Sequence, residues 1–321
     1  MRAILRRVVQ LVVVVVVVTF FTAALTSFLP GDPAEVIAPF ATEAQRDEIR
    51  AANNLDEPLV VRYWEWLKGF FTGDMGQEYA GAGVRGEDVW ERAQNALPKS
   101  LALMFYSQVL TLLIALPLGV VTAYRAGSRL DRYANAFAFA LVALPTFVLA
   151  ALLQLYVAVE WGWGDLPATG WVDPGAGLAD HLRSVALPVL AIAVGQIAVY
   201  ARLLRSDMVA TLQEDFILMA KSKGLRDRRI LWRHALRPSS LTLLTVAGLN
   251  VGTLISGALV VERIFDISGM GFLIYDAIAR RQYIALQSYI AIVAILYVLV
   301  NFVVDLLYTV LDPRIRSARV A

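Results

Sequence analysis

SLALMFYSQVLTLLIALPLGVVTAY, residues 100–124, contains no charged side chain. A helix needs about 18–20 apolar residues to cross a hydrocarbon core of roughly 30 Å, and this run exceeds that. In lipid only a helix satisfies its own backbone without partner strands, so Pro117, awkward for a helix in water, is tolerated here. Five further runs follow the same pattern: Val8–Leu29, Ala134–Val159, Ser184–Ala201, Leu241–Val261 and Ile284–Leu311. Pro145 and Pro188 fall inside two of them, and a run of valines fills 12–18 in the first. The reading is an all-α membrane protein with six transmembrane helices.

Composition agrees. Of 321 residues, 58% are apolar and 17% charged, and the mean hydropathy is +0.61. The absence of cysteine excludes disulfides and thiolate metal sites. Arg2, Arg6 and Arg7 before the first run resemble the basic region of a signal peptide. The run is too long for one, and no small-x-small cleavage site precedes LPGDP, so a retained span is expected.

Six spans put both termini on one side, and charge selects the side. The N-terminus, the 125–132 turn, the 202–238 loop and the C-terminus hold eighteen Lys or Arg against six acids, a net +12. The opposite face nets −9, and Asp305 inside the last run completes the total of +2. The positive-inside rule makes the basic face, and with it both termini, cytoplasmic.

The chain then divides into an N-terminal tail with the first helix (1–29), an external segment (30–97), a five-helix core with a cytoplasmic loop at 202–238 (98–311), and a cytoplasmic tail (312–321). The external segment opens with LPGDPAE and includes an acidic helix-like stretch, Thr42–Asn53, with Thr42 as its N-cap. Its aromatic residues Tyr63, Trp64, Trp66, Phe70 and Phe71 suit the headgroup layer, as do Trp161, Trp163 and Trp171 in the 160–181 loop.

Catalytic patterns are missing. No phosphate-binding G-x-x-x-x-G-K-[ST], G-x-S-x-G or H-E-x-x-H occurs. The two histidines, His181 and His234, fall on opposite faces of this topology and do not form one metal site. No catalytic, cofactor-binding or metal-binding residue is expected. Asp305 is the one acid within a span, near its cytoplasmic end, where pairing with an arginine accounts for it. An ion-driven carrier needs buried groups for its coupling ion. Uphill transport by this chain therefore draws its energy from another polypeptide.

One cytoplasmic segment has the form of a port of entry for that energy. EDFILMAKSKGLRDRRILWRHALRP, residues 214–238, carries seven Lys or Arg around a single glycine. Leu212, Phe216, Met219 and Ala220 follow helical spacing up to Lys221, Lys223 and Gly224, a standard stop signal. A second helix is expected from Asp227, capped by its carboxylate, through Ile230, Leu231, Trp232 and Ala235 to a break at Pro238. Small residues at the bend, Ala220 and Gly224, let a partner approach closely. A plain basic loop explains the charge but not the helix–glycine–helix order.

AKSKGLRDRRILWRHALRP (220–238) resembles the coupling loop of ABC importer permeases, whose general form is E-A-A-x-x-x-G followed by I-x-L-P. Ala220, Gly224 and Leu236 match; Leu218 and Met219 replace the E-A, and Arg237 replaces the proline. LPGDPAE (29–35), LPTF (144–147) and VVERIFDISGMGFL (260–273) resemble the oligopeptide/dipeptide/nickel subfamily, and the long external segment resembles its B-type member. The last motif is similar to E-x-x-F-x-x-P-G-x-G, carried here by Glu262, Phe265, Gly269 and Gly271, with Ser268 for the proline.

The resemblance implies a type I ABC importer transmembrane domain. It is non-catalytic itself and pairs with a second permease, two ATPase subunits and an external solute-binding protein, to import oligopeptides or dipeptides. It implies ATPase coupling through Glu214, Asp215, Phe216, Met219, Ala220, Lys223, Gly224 and Leu236. It places Glu262, Phe265, Gly269 and Gly271 near the external mouth, either contacting the binding protein and substrate or shaping a re-entrant plug. Nickel or another small solute is an alternative cargo; a stand-alone ion-coupled carrier or a membrane scaffold are alternatives of other classes. Gln108, Gln154, Gln196, Asn250, Thr253 and Ser256 are candidates for a polar path or for interhelical hydrogen bonding.

Overall fold

A computed structural model describes residues 2–28, 34–35, 39–52, 54–79 and 85–311. LPGDP, Gly83 and the tail from 312 lie outside the described residues, as does the side chain of Asp305 within the last helix. The first half contains α1 (Arg2–Ser27), α2 (Glu43–Ala52), α3 (Leu59–Thr72), an antiparallel hairpin of β1 (Gln77–Tyr79) and β2 (Arg85–Asp88), and α4 (Val89–Tyr124). Next come α5 (Arg129–Ala143) and α6 (Thr146–Leu152), which continues as π-helix over Leu153–Glu160. The second half contains α7 (Leu178–Thr211), α8 (Asp215–Ser222), α9 (Asp227–Arg229), α10 (Leu236–Ile264), α11 (Met270–Ala279) and α12 (Tyr283–Leu311).

Among the described residues, α4, α7 and the Tyr283–Val304 part of α12 are long and apolar enough to cross a membrane. The helices carrying the runs Val8–Leu29 and Leu241–Val261, α1 and α10, are formed, but several of their side chains lie outside the described set. The expected span Ala134–Val159 is corrected to a pair, α5 and α6 with its continuation, bent by 97°. Proline disfavours helical geometry in the residue before it. Leu144 is accordingly extended, at φ −82 and ψ 120, and the chain restarts after Pro145. At Pro188, buried inside α7, the helix continues.

Two compact units emerge. One draws on the described residues of Met1–Leu101 and Ile267–Leu299. Here α3 turns Tyr63, Trp66, Leu67 and Phe70 inward at positions 0, +3, +4 and +7, against Val15, Ala23 and Tyr289. Trp66 Nε1 donates to Ser288 Oγ at 2.9 Å, and Tyr63 Oη donates to the Val16 carbonyl at 3.0 Å. The headgroup assignment thus holds for neither Tyr63, Trp66 nor Phe70; only Trp64 and Phe71 of that set are exposed. Burial of the stripe outweighs interfacial anchoring, since each large side chain contributes about 1.5–3 kcal/mol when removed from water. The hairpin follows, with Glu78 buried, paired to Arg92 and accepting from Tyr289 Oη at 2.6 Å. In α2, Gln45 reaches back to the Thr42 N–H at 2.8 Å, one half of a capping box.

The other unit draws on the described residues of Ala102–Asp266 and Val300–Ala321. At Gly119 in α4, a Cβ would lie 3.0 Å from both the Ala201 carbonyl and Leu204 of α7, so glycine lets the two backbones meet. The start of α5 is fastened to α7 by Asp131, which is buried. Its carboxylate accepts Arg205 Nε at 2.5 Å, Arg205 Nη2 at 2.6 Å and the Gly127 N–H at 2.9 Å. Trp171 is not a free interfacial anchor: it packs edge-on against His181, whose Nδ1 lies 2.6 Å from the Val172 carbonyl.

Candidate functional site

The segment after α7 is built on a glycine hinge. α8 ends at Ser222 with Lys223 as C-cap, and Gly224 takes φ +71, the left-handed region. Its N–H bonds to the Lys221 carbonyl at 2.9 Å, and the Leu225 N–H reaches the Ala220 carbonyl at 3.3 Å. Together these two bonds form the Schellman closure, which satisfies carbonyls that a helix end leaves free. A Cβ on Gly224 meets nothing within 4 Å. Glycine is needed for conformation, not for space.

α8 has two faces. Ile217 and Ala220, at i and i+3, are buried with Met208, Ile230, Leu231 and Ala235 in this unit's core. On the outer face lie Phe216, Met219 and Lys223, at i, i+3 and i+7, with Phe216 45% and Met219 59% exposed. Leu218 is exposed at 53% and Trp232 at 45%, so the patch is apolar within a strongly basic stretch. Glu214 is the N-cap and Asp215 opens the helix, both exposed. The expectation for Ala220 needs correcting: it packs into the protein and does not face outward. Leu236 is half-buried against the same core.

The second helix also departs from expectation. Asp227 begins it, but the N-cap is Arg226, and no side chain caps it. Instead the Asp227 carboxylate accepts from Tyr124 Oη at 2.7 Å, tying this helix to the end of α4. The residues are 103 apart in sequence, and no local pattern announces the contact. Nor does the helix break at Pro238. Ile230–Ala235 is π-helical, with the Leu236 N–H bonded to the Leu231 carbonyl, and α10 runs on through the proline. A π turn widens the backbone directly upstream, which relieves the clash a proline makes with the preceding turn.

The other motif lies where α10 ends. Glu262 is fully buried and engaged within the chain, and Phe265 is the buried C-cap residue. Carbonyls left free at this terminus find donors elsewhere: Gln154 Nε2 reaches Ile264 O at 2.8 Å, and the Gly170 N–H reaches Phe265 O at 2.8 Å. Asp266 adopts φ +53 as the chain leaves. Gly269, the N-cap of α11, and Gly271 belong to the first unit, where the Met270 N–H donates to Ser100 Oγ at 2.8 Å. Glu262 and Phe265 thus close one unit while the two glycines open a helix in the other. Of the polar-path candidates, Gln154 also donates to Ala168 O at 3.0 Å, and Asn250 donates to Gln196 at 3.3 Å. Gln108 Oε1 is buried without a hydrogen bond among the described residues, to which the side chains of Thr253 and Ser256 do not belong.

Comparison with known proteins puts this geometry in context. Residues 115–317 match the family described as binding-protein-dependent transport system inner membrane component, and residues 1–104 match its N-terminal counterpart. A probable peptide ABC transporter permease protein of Sinorhizobium fredii is 34% identical, covering 98% of both chains. The oligopeptide transport system permease protein AppB of Bacillus subtilis is 31% identical over 97% of this chain and 98% of its own. The dipeptide permease DppB of Escherichia coli is 31% identical over 99% and 100%. Among solved structures, the MetNI methionine ABC transporter in an inward-facing conformation aligns with a TM-score of 0.55 at 17% identity, over 68% of this chain and 96% of that one. At that identity the match speaks for the fold alone. From nearly full-length relatives and a family match over most of its length, this chain belongs to the binding-protein-dependent transport system inner membrane component family.

Proposed function

We propose that the chain is the permease subunit of an ATP-driven importer of oligopeptides or dipeptides in a bacterial inner membrane. It crosses six times with both termini cytoplasmic, pairs with a second permease, and works with two ATPases and an external binding protein. The cargo class rests on the peptide and dipeptide permeases similar to it from end to end. The observation that carries the coupling role is the outer face of α8. Phe216, Leu218 and Met219 stand exposed in a segment otherwise rich in cations. Exposed apolar clusters of this kind mark contact surfaces.

In this reading the ATPase grips α8 through Phe216 and Met219, with Glu214, Asp215 and Lys223 at the rim. Gly224 sets the angle to the second helix, while Ala220 and Leu236 seat the segment on the core. Movement passes to the spans through the continuous Ile230–Ile264 helix and through the Tyr124–Asp227 bond. At the other end, Glu262, Phe265, Gly269 and Gly271 shape the α10–α11 connection near the external mouth. The external segment 30–97 lies on the binding-protein side.

Reconstitution tests this directly. The complete complex in vesicles, with ATP inside the compartment that represents cytoplasm, is expected to accumulate a labelled di- or oligopeptide delivered by the binding protein. The purified permease alone is expected neither to bind nor to hydrolyse ATP. Peptide transport by the isolated chain, or nucleotide binding above that of a denatured control, contradicts the proposal. Phe216→Ser with Met219→Ser is expected to abolish ATPase co-purification while membrane abundance is kept.

A further inference from the structure

The end of the α5–α7 pair proposed to be cytoplasmic holds two arginines that no acid among the described residues neutralises. Arg132, Ala136 and Phe139 share one face of α5 at i, i+4 and i+7. From α7, the Arg202 guanidinium is poised over the Phe139 ring, 4.9 Å from its centroid. Asp131, the carboxylate adjoining Arg132, is taken up by Arg205. No ion pair to Arg132 or Arg202 forms among the described residues, and both are exposed. Arg202 lies one helical turn, about 4.5 Å, before Arg205 along α7, on the membrane side of the buried pair. A guanidinium just beyond an apolar span stands at the height of the lipid phosphates, where anionic headgroups attract it.

We propose that this face binds the phosphate of an anionic phospholipid of the cytoplasmic leaflet. Arg132 and Arg202 supply the two guanidinium forks and Phe139, 59% exposed, supplies apolar surface for the first acyl segment. The cation–ring contact pre-orders Arg202, so less side-chain freedom is lost when the phosphate arrives. A lipid is favoured over a soluble anion because the floor of the site is an exposed aromatic ring on a helix that belongs to a candidate span. The inference rests on the cytoplasmic placement of the 125–132 turn, which gene-fusion reporters test separately.

The experiment counts lipids on the purified full-length chain by native mass spectrometry, after exchange into detergent carrying phosphatidylglycerol or phosphatidylcholine at equal concentration. The wild type is expected to retain phosphatidylglycerol preferentially, and each arginine to account for about a fivefold preference. Arg132→Gln and Arg202→Gln, singly and together, are expected to reduce it stepwise toward parity. Arg202→Lys keeps the charge but weakens the ring contact and is expected to fall between. Arg228→Gln with Arg229→Gln removes the same charge from the same face and is expected to leave the preference intact. Equal loss in that control reduces the effect to bulk charge and overturns the site. Unchanged preference in the Arg132/Arg202 variants also overturns it, as does loss of ATPase co-purification with lipid counts unaltered, which marks a protein contact. A melting curve in phosphatidylcholine confirms that each variant is folded. An external reporter signal at Arg129 together with intact lipid selectivity rejects the topology while leaving the phosphate site standing.

Discussion

At Gly224 conformation and space separate cleanly, which makes the residue a sharp probe. The position needs φ +71 and has open surroundings; Gly175 has open surroundings without that requirement. A side chain at positive φ costs roughly 1–2 kcal/mol, and a β-branched one more. Gly224→Val is therefore expected to disturb the angle between the coupling helices and abolish peptide uptake, with membrane abundance near wild type. Gly175→Val is expected to leave both intact. Uptake at wild-type level in Gly224→Val returns the segment to an ordinary basic loop. Asp131 offers a second residue-scale test. Truncating it to alanine strands the partly buried Arg205 without its anion and removes the acceptor of the Gly127 N–H. A loss of about 2–3 kcal/mol is expected, read as a lower melting temperature of the purified chain. No change would mean that the pair contributes nothing to stability.

Elements show which sequence signals survive in three dimensions. The described residues of the apolar runs fall largely on helices, Ala134–Val159 on two of them, because in lipid the backbone has no other local way to pair its polar groups. Gly224 as a stop and Asp227 as a start are also legible, since each is a local rule. Long-range competition is not. The stripe of Tyr63, Trp66, Leu67 and Phe70 had helical spacing, yet its destination against α1 and α12 depends on chain more than 200 residues away. Pro145 and Pro188 look alike in the sequence, but one ends a helix and the other does not. For the site, the hinge was readable, whereas the inward turn of Ala220 and the Tyr124–Asp227 tie were decided by packing. Gly119 carries no motif at all, yet a Cβ there lies 3.0 Å from a backbone oxygen that cannot yield by rotation. Gly119→Ala is expected to destabilise by about 1–3 kcal/mol and Gly119→Val by more, both measured by thermal melting. An unaltered melting temperature in Gly119→Val would show that α4 and α7 do not pack this closely.

For the whole molecule, the proposed orientation rests on where the cations gather, and not every segment has equal weight. The 30–97 segment, proposed to be external, is about 68 residues long, and charges in loops beyond roughly 60 residues contribute little to orientation. Its acids are therefore weak witnesses. The short 125–132 turn carries Arg125, Arg129 and Arg132 with one acid, and that acid is neutralised by Arg205. The 202–238 loop carries nine Lys or Arg, and these are the residues that resist translocation. Both segments lie at the same face of the fold, since Asp131 of the turn grips α7 and Tyr124 grips Asp227 of the loop. The two strongest orientation signals thus cannot be separated by the membrane without breaking the unit that contains them. Reporter fusions after Arg129 and Arg226 are expected to read cytoplasmic together, and fusions at Gly83 and Gly175 external. Replacing the three turn arginines with glutamine is expected to leave the orientation unchanged, because the larger loop still holds it. Split signals, with Arg129 on one side and Arg226 on the other, would contradict the packing of α4, α5 and α7 as well as the orientation. An external signal at both would leave the packing intact and reverse the molecule in the membrane.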